Sequence, residues 1–503
     1  MSSPFKTYIT GPLISVISRF SERNAFCINE VFYTYKQFGE HISKIRLAIK
    51  ELPLKDIHIG LVANDDLETY ASIFALWLEG KTYIPLHPNQ PLDRVEDIIK
   101  QMNIHTILDS GNTTRLLNHS LITTRSLVYE KDFFNTDVDF DDDRLAYVLF
   151  TSGSTGVPKG VTISRLNIGT FMDSFWDSGV MITEEDRCLQ CFDLTFDASV
   201  QSYLAPVLRG ACVYTVPHHQ IKYSYVYGLL EDHRISCAVV APSLLRYLRP
   251  YFKEIDLPAM KYCLLVGEAS PADLISEWAN CVPRAGIYNF YGPTEVTIYC
   301  TYYKVKRDSE IKTLFGMLCI GKPMKNAKTI VIDEDLNILS NGEKGELCIS
   351  GDQVSPGYWN NPGKNAKSFF EKEYDGKKER FYRTGDLCYC DNDEDLMMYG
   401  RLDSQAKIQG YRVELGEIEH HAREFLKGRN AVVLTFINSI GNAELAIFVE
   451  EKGTNTSLLI DYLKTKLPYY MIPVKIITEP ELPLNSNGKI DKVKLKEKLA
   501  GLK

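Results

Sequence analysis

Four hydroxyls, three glycines and one lysine are packed into Thr151-Ser-Gly-Ser-Thr-Gly-Val-Pro-Lys-Gly160. Small residues let backbone N–H groups close on an anion. Hydroxyls add donors, and Lys159 adds charge, so the stretch reads as a phosphate-handling loop. It is not a Walker loop, because neither Gly153 nor Gly156 opens the required spacing to Gly-Lys-Ser/Thr. A second constellation, Tyr288-Asn-Phe-Tyr-Gly-Pro-Thr-Glu295, gathers an aromatic face, an amide, a hydroxyl and a hard oxygen ligand suited to magnesium. Asp386, in Tyr382-Arg-Thr-Gly-Asp386, is a carboxylate that can accept from a pair of hydroxyls. The Asn-Gly of Leu484-Asn-Ser-Asn-Gly-Lys-Ile-Asp491 predicts a tight turn from which Lys489 would project. Asp197, in Phe192-Asp-Leu-Thr-Phe-Asp-Ala-Ser-Val200, either pairs an ammonium or caps a helix.

The elements around these residues follow from periodicity. The run Leu145–Phe150 is short and apolar, as a buried strand requires, and a helical rhythm begins near Ser164. Phe38, Ile42, Ile45 and Ile49 recur at helical spacing. Ile57–Ala63 then predicts a strand, Tyr70–Glu79 a helix and Lys81–Leu86 a strand. Strand–helix pairs continue with Ala211–Val216 and Val226–Asp232, then Ser236–Ala241 and Ser243–Leu248. Tyr262–Val266 and Ala285–Phe290 predict two more strands, each ending in a loop rich in chemistry. Such alternation builds parallel sheets from βαβ units, with ligands beyond the C-terminal strand ends. From about 327 to 399 short strands and Asn-Gly turns predict a smaller β-rich subdomain. After Gly400, the strands Ala431–Asn438 and Leu445–Glu450 and the helix Leu458–Leu467 predict a small α+β domain. The expected fold is therefore α/β: a large N-terminal domain, 1–400, and a small mobile C-terminal domain, 401–503.

Together these motifs resemble those of the adenylate-forming superfamily: acyl-CoA synthetases, luciferases and the adenylation domains of nonribosomal peptide synthesis. The resemblance runs from roughly residue 10 to 495. It implies ATP binding by Thr151, Ser152, Gly153, Ser154, Thr155, Gly156 and Lys159. Gly267, Glu268, Ala269, Asn289, Phe290, Tyr291 and Gly292 would line the adenine, with Asp386 and Arg401 at the ribose. Thr294 would meet phosphate and Glu295 would hold Mg2+. Lys489 would bridge the substrate carboxylate and the α-phosphate. The segment Gly400–Glu419 resembles the family hinge, with Asp403 as pivot and Gly410 and Arg412 serving the second half-reaction. Phe196 matches the aromatic near the pantetheine tunnel. His87, in Tyr83-Ile-Pro-Leu-His87, stands where an aspartate is commoner.

The segment FDASV resembles that of amino-acid-activating members, in which Asp197 pairs the α-ammonium. The side-chain pocket would be lined by Ala198, Gln201, Val239, Leu264, Val266, Phe290, Ile298 and Tyr299. That set is mostly apolar and uncharged, so a small or medium neutral amino acid such as alanine is expected. The expected activity is ATP-dependent adenylation, then transfer to the phosphopantetheine of a separate carrier protein. The chain ends soon after Lys489 and leaves no room for a carrier domain. In layout it resembles D-alanine–carrier protein ligases; in FDLTFDASV it resembles stand-alone adenylation enzymes. An acyl-CoA or aryl-acid CoA ligase is the alternative.

Bulk properties bound the rest. A formal net charge of −8 over 503 residues argues against general binding to nucleic acid or an anionic membrane. The N-terminus is too polar for a signal peptide and no apolar run reaches membrane length. Twelve scattered cysteines fit a reduced, cytoplasmic compartment rather than a disulfide framework, and a monomer is expected. Cys188 and Cys191, and Cys388 and Cys390, lack a second pair at zinc spacing. The acidic run Asp137–Asp143 reads as a solvated connection.

Overall fold

Helix starts are written into single residues. Thr34 and Ser164 each form a capping box, with Gln37 and Asn167, at the heads of Tyr35–Lys50 and Arg165–Asp177. The Asp66 carboxylate accepts from the Thr69 N–H and starts Leu67–Leu78, three residues before the expected Tyr70. Phe38, Ile42, Ile45 and Ile49 are all buried along the first of these helices. The computed structural model describes residues 3–53, 55–111, 116, 118–136, 138, 141–153, 156–217, 220–403, 405–450, 456–484 and 490–501.

These helices separate strands of two large sheets. One has nine strands in the order Lys322–Pro323, Thr301–Lys304, Gly286–Tyr291, Tyr262–Leu265, Cys237–Val240, Arg187–Gln190, Cys212–Thr215, Asn24–Ile28 and Val31–Thr34. From Gly286–Tyr291 to Asn24–Ile28 every pairing is parallel, and antiparallel strands close both edges. The second sheet has seven strands in the order Gly357–Tyr358, Lys159–Ser164, Leu145–Thr151, Thr82–Leu86, His58–Val62, Thr106–Asp109 and Ser120–Thr123. Strands covered on both faces read as continuous apolar runs, which is why Leu145–Phe150 is legible.

The β-rich region is a five-stranded antiparallel sheet made by Lys328–Ile332, Gly345–Ser350, Lys377–Cys390, Phe369–Tyr374 and Leu396–Arg401. The long strand Lys377–Cys390 carries Asp386 opposite Arg401. The chain divides into two compact units. The first comprises Met1–Pro88, Met102–Leu149 and Gly160–Leu402; the second, Asn89–Gln101, Phe150–Lys159 and Asp403–Lys503. In the second unit the three-stranded sheet of Ala431–Ile437, Ala443–Glu450 and Lys475–Glu479 packs with the helices Leu415–Phe425, Thr456–Lys466 and Lys492–Gly501. No described helix is long and apolar enough to cross a membrane.

Candidate active site

In the first unit, parallel registers place Val239 beside Leu264 and Leu264 beside Tyr288. At the C-terminal ends of these strands, Ala198, Val239, Leu264, Val266, Phe290, Ile298 and Tyr299 share one buried apolar cluster. Asp197 is the first residue of the helix Asp197–Val207, and Phe196 is its N-cap. The alternative reading of Asp197 as the cap is therefore corrected, since a cap must precede the first helical residue. A carboxylate in a first helical turn is favoured by the helix dipole. Gln201 lies one turn further along the same face and is buried.

The loop before this helix is held by charge. Asp193 accepts from the Thr195 N–H and hydroxyl at 2.8 and 2.7 Å and lies 2.8 Å from His87 Nε2. Burial works to raise the Asp193 carboxyl, but the His87 and Thr195 donors hold it well below the usual carboxylate range. His87, the departure from the family pattern, is thus the partner of an aspartate in the substrate loop.

Two consecutive β-branched residues, Thr297 and Ile298, adopt φ of 55° and 72° after the short turn Thr294–Val296. Such backbone costs about 1–3 kcal/mol per residue and persists only where neighbours fix it. Here the Thr297 hydroxyl donates to Gln353 O at 2.7 Å, the Gln353 amide donates to Tyr299 O at 2.8 Å, and Cys300 N donates to Tyr291 O at 2.8 Å. The turn delivers Tyr299 against Phe290 and Phe171, with ring centroids 5.3 and 6.0 Å apart.

Next to it, the Tyr291 hydroxyl donates to Asp386 Oδ2, while Arg401 Nη1 donates to Asp386 Oδ1 at 2.7 Å. Burial, and then the Asp386 charge, push the Tyr291 phenol well above its usual range. Each carboxylate oxygen keeps a second lone pair, as a ribose diol requires. The Asn289 amide accepts from Ser270 at 2.9 Å and donates to Cys319 O at 2.8 Å, leaving one N–H hydrogen for a base edge. Gly267 has φ of 81°, and Glu268 beside it accepts from Ser243 N at the head of the helix Pro242–Leu248. Gly292 admits no side chain, since a Cβ would lie 2.5 Å from Ile298 O. Glu295 is buried, and Tyr358 donates to its Oε1 at 2.5 Å. One hard carboxylate beside phosphate oxygens suits a magnesium ion that keeps its waters, so the donor set fits.

In the second unit, the loop 151–159 is gripped through the Ser152 hydroxyl and the Gly153 N–H. Ser152 Oγ accepts from Glu414 N at 3.0 Å and donates to Arg412 O at 3.2 Å. The Gly153 N–H donates to Glu417 Oε2 at 2.9 Å, and Arg94 Nη1 donates to Glu417 Oε1 at 2.5 Å. Lys159 Nζ lies 3.8 Å from Glu414. A Cβ on Gly153 would fall 2.0 Å from Val157 O, so glycine is obligatory there. Arg412 Nε donates to Gln405 at 2.8 Å, Asp403 accepts from Gln405 N at 3.1 Å, and Gly410 turns the hairpin with φ of 85°. Ser154, Thr155 and Lys489 lie outside the described residues.

A model of the AMP-binding enzyme family matches residues 15–359. The chain belongs to that family. This AMP-binding enzyme belongs to the adenylate-forming superfamily. It is 28% identical over 487 residues to tyrocidine synthase 1 of Brevibacillus parabrevis; the match takes in 95% of this chain but spans only 44% of that relative's length. Among solved structures, the Vibrio cholerae adenylation domain AlmE, in complex with glycyl-adenosine-5'-phosphate, has a TM-score of 0.86 at 24% identity. The match covers 98% of this chain and 97% of AlmE. Holo-PA1221, an NRPS protein containing adenylation and PCP domains, has a TM-score of 0.85 at 22% identity, over 98% of this chain and 85% of that one. At these identities the likeness is one of fold.

Several residues that shape the AMP-binding enzyme's site escape sequence reading. Tyr358, Gln353 and Tyr147 carry no motif. Glu417 stands inside the Gly400–Glu419 segment and Arg94 a few residues beyond His87, but nothing in the sequence announces their pairing. All twelve cysteines are free, and eleven are buried. Burial pushes the Cys188 and Cys191 thiols up, the opposite of what zinc ligation or redox work needs. Of the acidic run, Asp137 and Asp139 lie outside the described residues, while Asp142 accepts from Ser3 and from Phe5 N.

Proposed function

We propose that this AMP-binding enzyme activates an amino acid with a small or medium neutral side chain and passes it to the phosphopantetheine thiol of a carrier protein. The observation that carries the reading is Asp197, a carboxylate that heads the helix Asp197–Val207, followed directly by the buried apolar Ala198. An α-ammonium is the substrate group that a carboxylate at this position would receive. The proteins named in the comparison support the reading by their own descriptions: an adenylation domain with a glycyl adenylate, and a chain joining adenylation and PCP domains.

In the first half-reaction a substrate carboxylate oxygen bonds to the α-phosphorus of ATP and the bond to pyrophosphate breaks. Asp386 and Arg401 would orient the ribose, Asn289 and Tyr291 the base, and Thr294 and the 151–159 loop the phosphates. Lys489 would neutralise charge at the reacting oxygens. Magnesium on Glu295 would supply further neutralisation of phosphate charge. In the second half-reaction a thiol sulfur bonds to the acyl carbon, AMP leaves, and the thiol proton is released. Asp403 opens the C-terminal segment of the second compact unit, which supports its role as pivot, with Gly410, Arg412 and Phe196 serving this step.

ATP–pyrophosphate exchange across amino acids, aryl acids and fatty acids tests the reading. Exchange with one amino acid, abolished by Asp197→Ala, is the expected result. Exchange only with acids lacking an α-amino group would replace it with an acyl-CoA or aryl-acid CoA ligase.

A further inference from the structure

Among the described residues, none supplies a hydrogen-bond partner to three buried oxygens: Tyr147 Oη, Gln201 Oε1 and Tyr299 Oη. All three surround Asp197. Gln201 follows it by one helical turn, and Asp197's charge acts on both phenols. Burial is the larger influence on each phenol, and Tyr83 also precedes Asp197 at Tyr147. Gln201 is 1% exposed and Tyr299 3%, so bulk water does not reach these groups. Buried polar atoms are nearly always satisfied in folded proteins, and an orphaned pair within a binding pocket points to what the ligand brings. The strained Thr297–Ile298 turn, clamped by Gln353, shows that the fold spends backbone energy to hold Tyr299 in this place.

We infer that the pocket selects an amino acid whose neutral side chain ends in a hydrogen-bond donor, a hydroxyl or a primary amide. The inference rests on the amino-acid reading above and narrows it. Gln201 Oε1 is an acceptor only and demands a donor, whereas the Tyr299 hydroxyl both gives and takes. A hydroxyl or carboxamide between them satisfies both. An apolar isostere leaves both atoms unpaired, and a cationic or anionic side chain finds no opposite charge beyond Asp197, which the ammonium occupies.

The test is kcat/KM in pyrophosphate exchange for isosteric pairs: threonine against valine, asparagine against leucine, serine against alanine. The wild type should favour the donor-bearing member of one pair by about ten- to a hundredfold. Tyr299→Phe and Gln201→Met, two separate shape-conserving changes, should each pull that ratio down about tenfold, with Tm checked to confirm folding. A preference for the apolar members, or a ratio that neither variant moves, would overturn the inference and assign the orphaned oxygens to a buried water. Exchange with no amino acid at all would instead overturn the adenylation reading, and this inference with it.

Discussion

Replacing Arg94 with Met should release the phosphate loop. Glu417 is fully buried, and its carboxylate accepts from Arg94 Nη1 at 2.5 Å and from the Gly153 N–H at 2.9 Å. Arg94 is itself 5% exposed, so solvent screens the pair little. Removing the guanidinium leaves a buried carboxylate with an amide N–H in place of a cation. Breaking one side of such a pair costs about 3–5 kcal/mol. At about 1.4 kcal/mol per decade, that is two to three and a half orders of magnitude in a local opening equilibrium. Hydrogen exchange at the Gly153 amide, read from peptides spanning 150–159, should accelerate by that factor. Arg94→Met with Glu417→Leu should recover most of the protection of the surrounding helix, because apolar replacement of both partners is often close to neutral. An acceleration below threefold in the single variant would refute the reasoning. So would a double variant that exchanges as fast as the single one, since the cost then does not come from an uncompensated charge.

Other outcomes follow from the same geometry. Lys489→Ala should lower pyrophosphate exchange by about 10²–10³, the scale of one lost transition-state donor; thioester formation from supplied aminoacyl-AMP should survive, and its loss would sink the assigned role. Tyr358→Phe removes a charge-assisted bond to Glu295, so exchange should require more Mg2+, and chelation should abolish exchange in both proteins. An unchanged Mg2+ dependence would separate Glu295 from the metal. Glu68 is held down to about 2 from 4.5, chiefly by hydrogen bonding with His41. A depressed carboxyl stabilises the fold above pH 4.5 and loses that contribution as pH falls towards about 2. Urea midpoints should therefore fall less steeply over that window in His41→Ala, and parallel curves would exclude the linkage.

The sheets are legible where both faces are covered. Leu145–Phe150, Tyr262–Val266 and Ala285–Phe290 are apolar because consecutive residues, on both faces, are buried, and the structure moves their limits by only a residue or so. The strand Asn24–Ile28 is not legible. It pairs with Cys212–Thr215, far along the chain, and no local pattern announces such a partner. The helix Leu92–Met102 hides in a segment read only for its resemblance, with charge on three of its first five residues. For the pocket, the resemblance names the residues, and seven of the eight fall within the large core cluster of the first unit. Periodicity cannot give the left-handed turn at Thr297 and Ile298. Both are β-branched, and propensity places them in strands. The polarity of the pocket is likewise invisible: a tyrosine and a glutamine in the sequence do not say whether their oxygens have partners.

The contact between His87 and Asp193 limits how this site can be transplanted. The two residues come from different sheets, 106 positions apart, and are equally buried. A relative with aspartate at the position of His87 would, on receiving the loop Cys191–Phe196, enclose two carboxylates where an imidazole and a carboxylate now meet. One of them would have to take up a proton, and the loop that leads into Asp197 would lose its anchor. Chimeras that move the loop should therefore carry position 87 with it. In a comparison of many such chains, these two sites are expected to change together, although neither is a side chain of the substrate pocket.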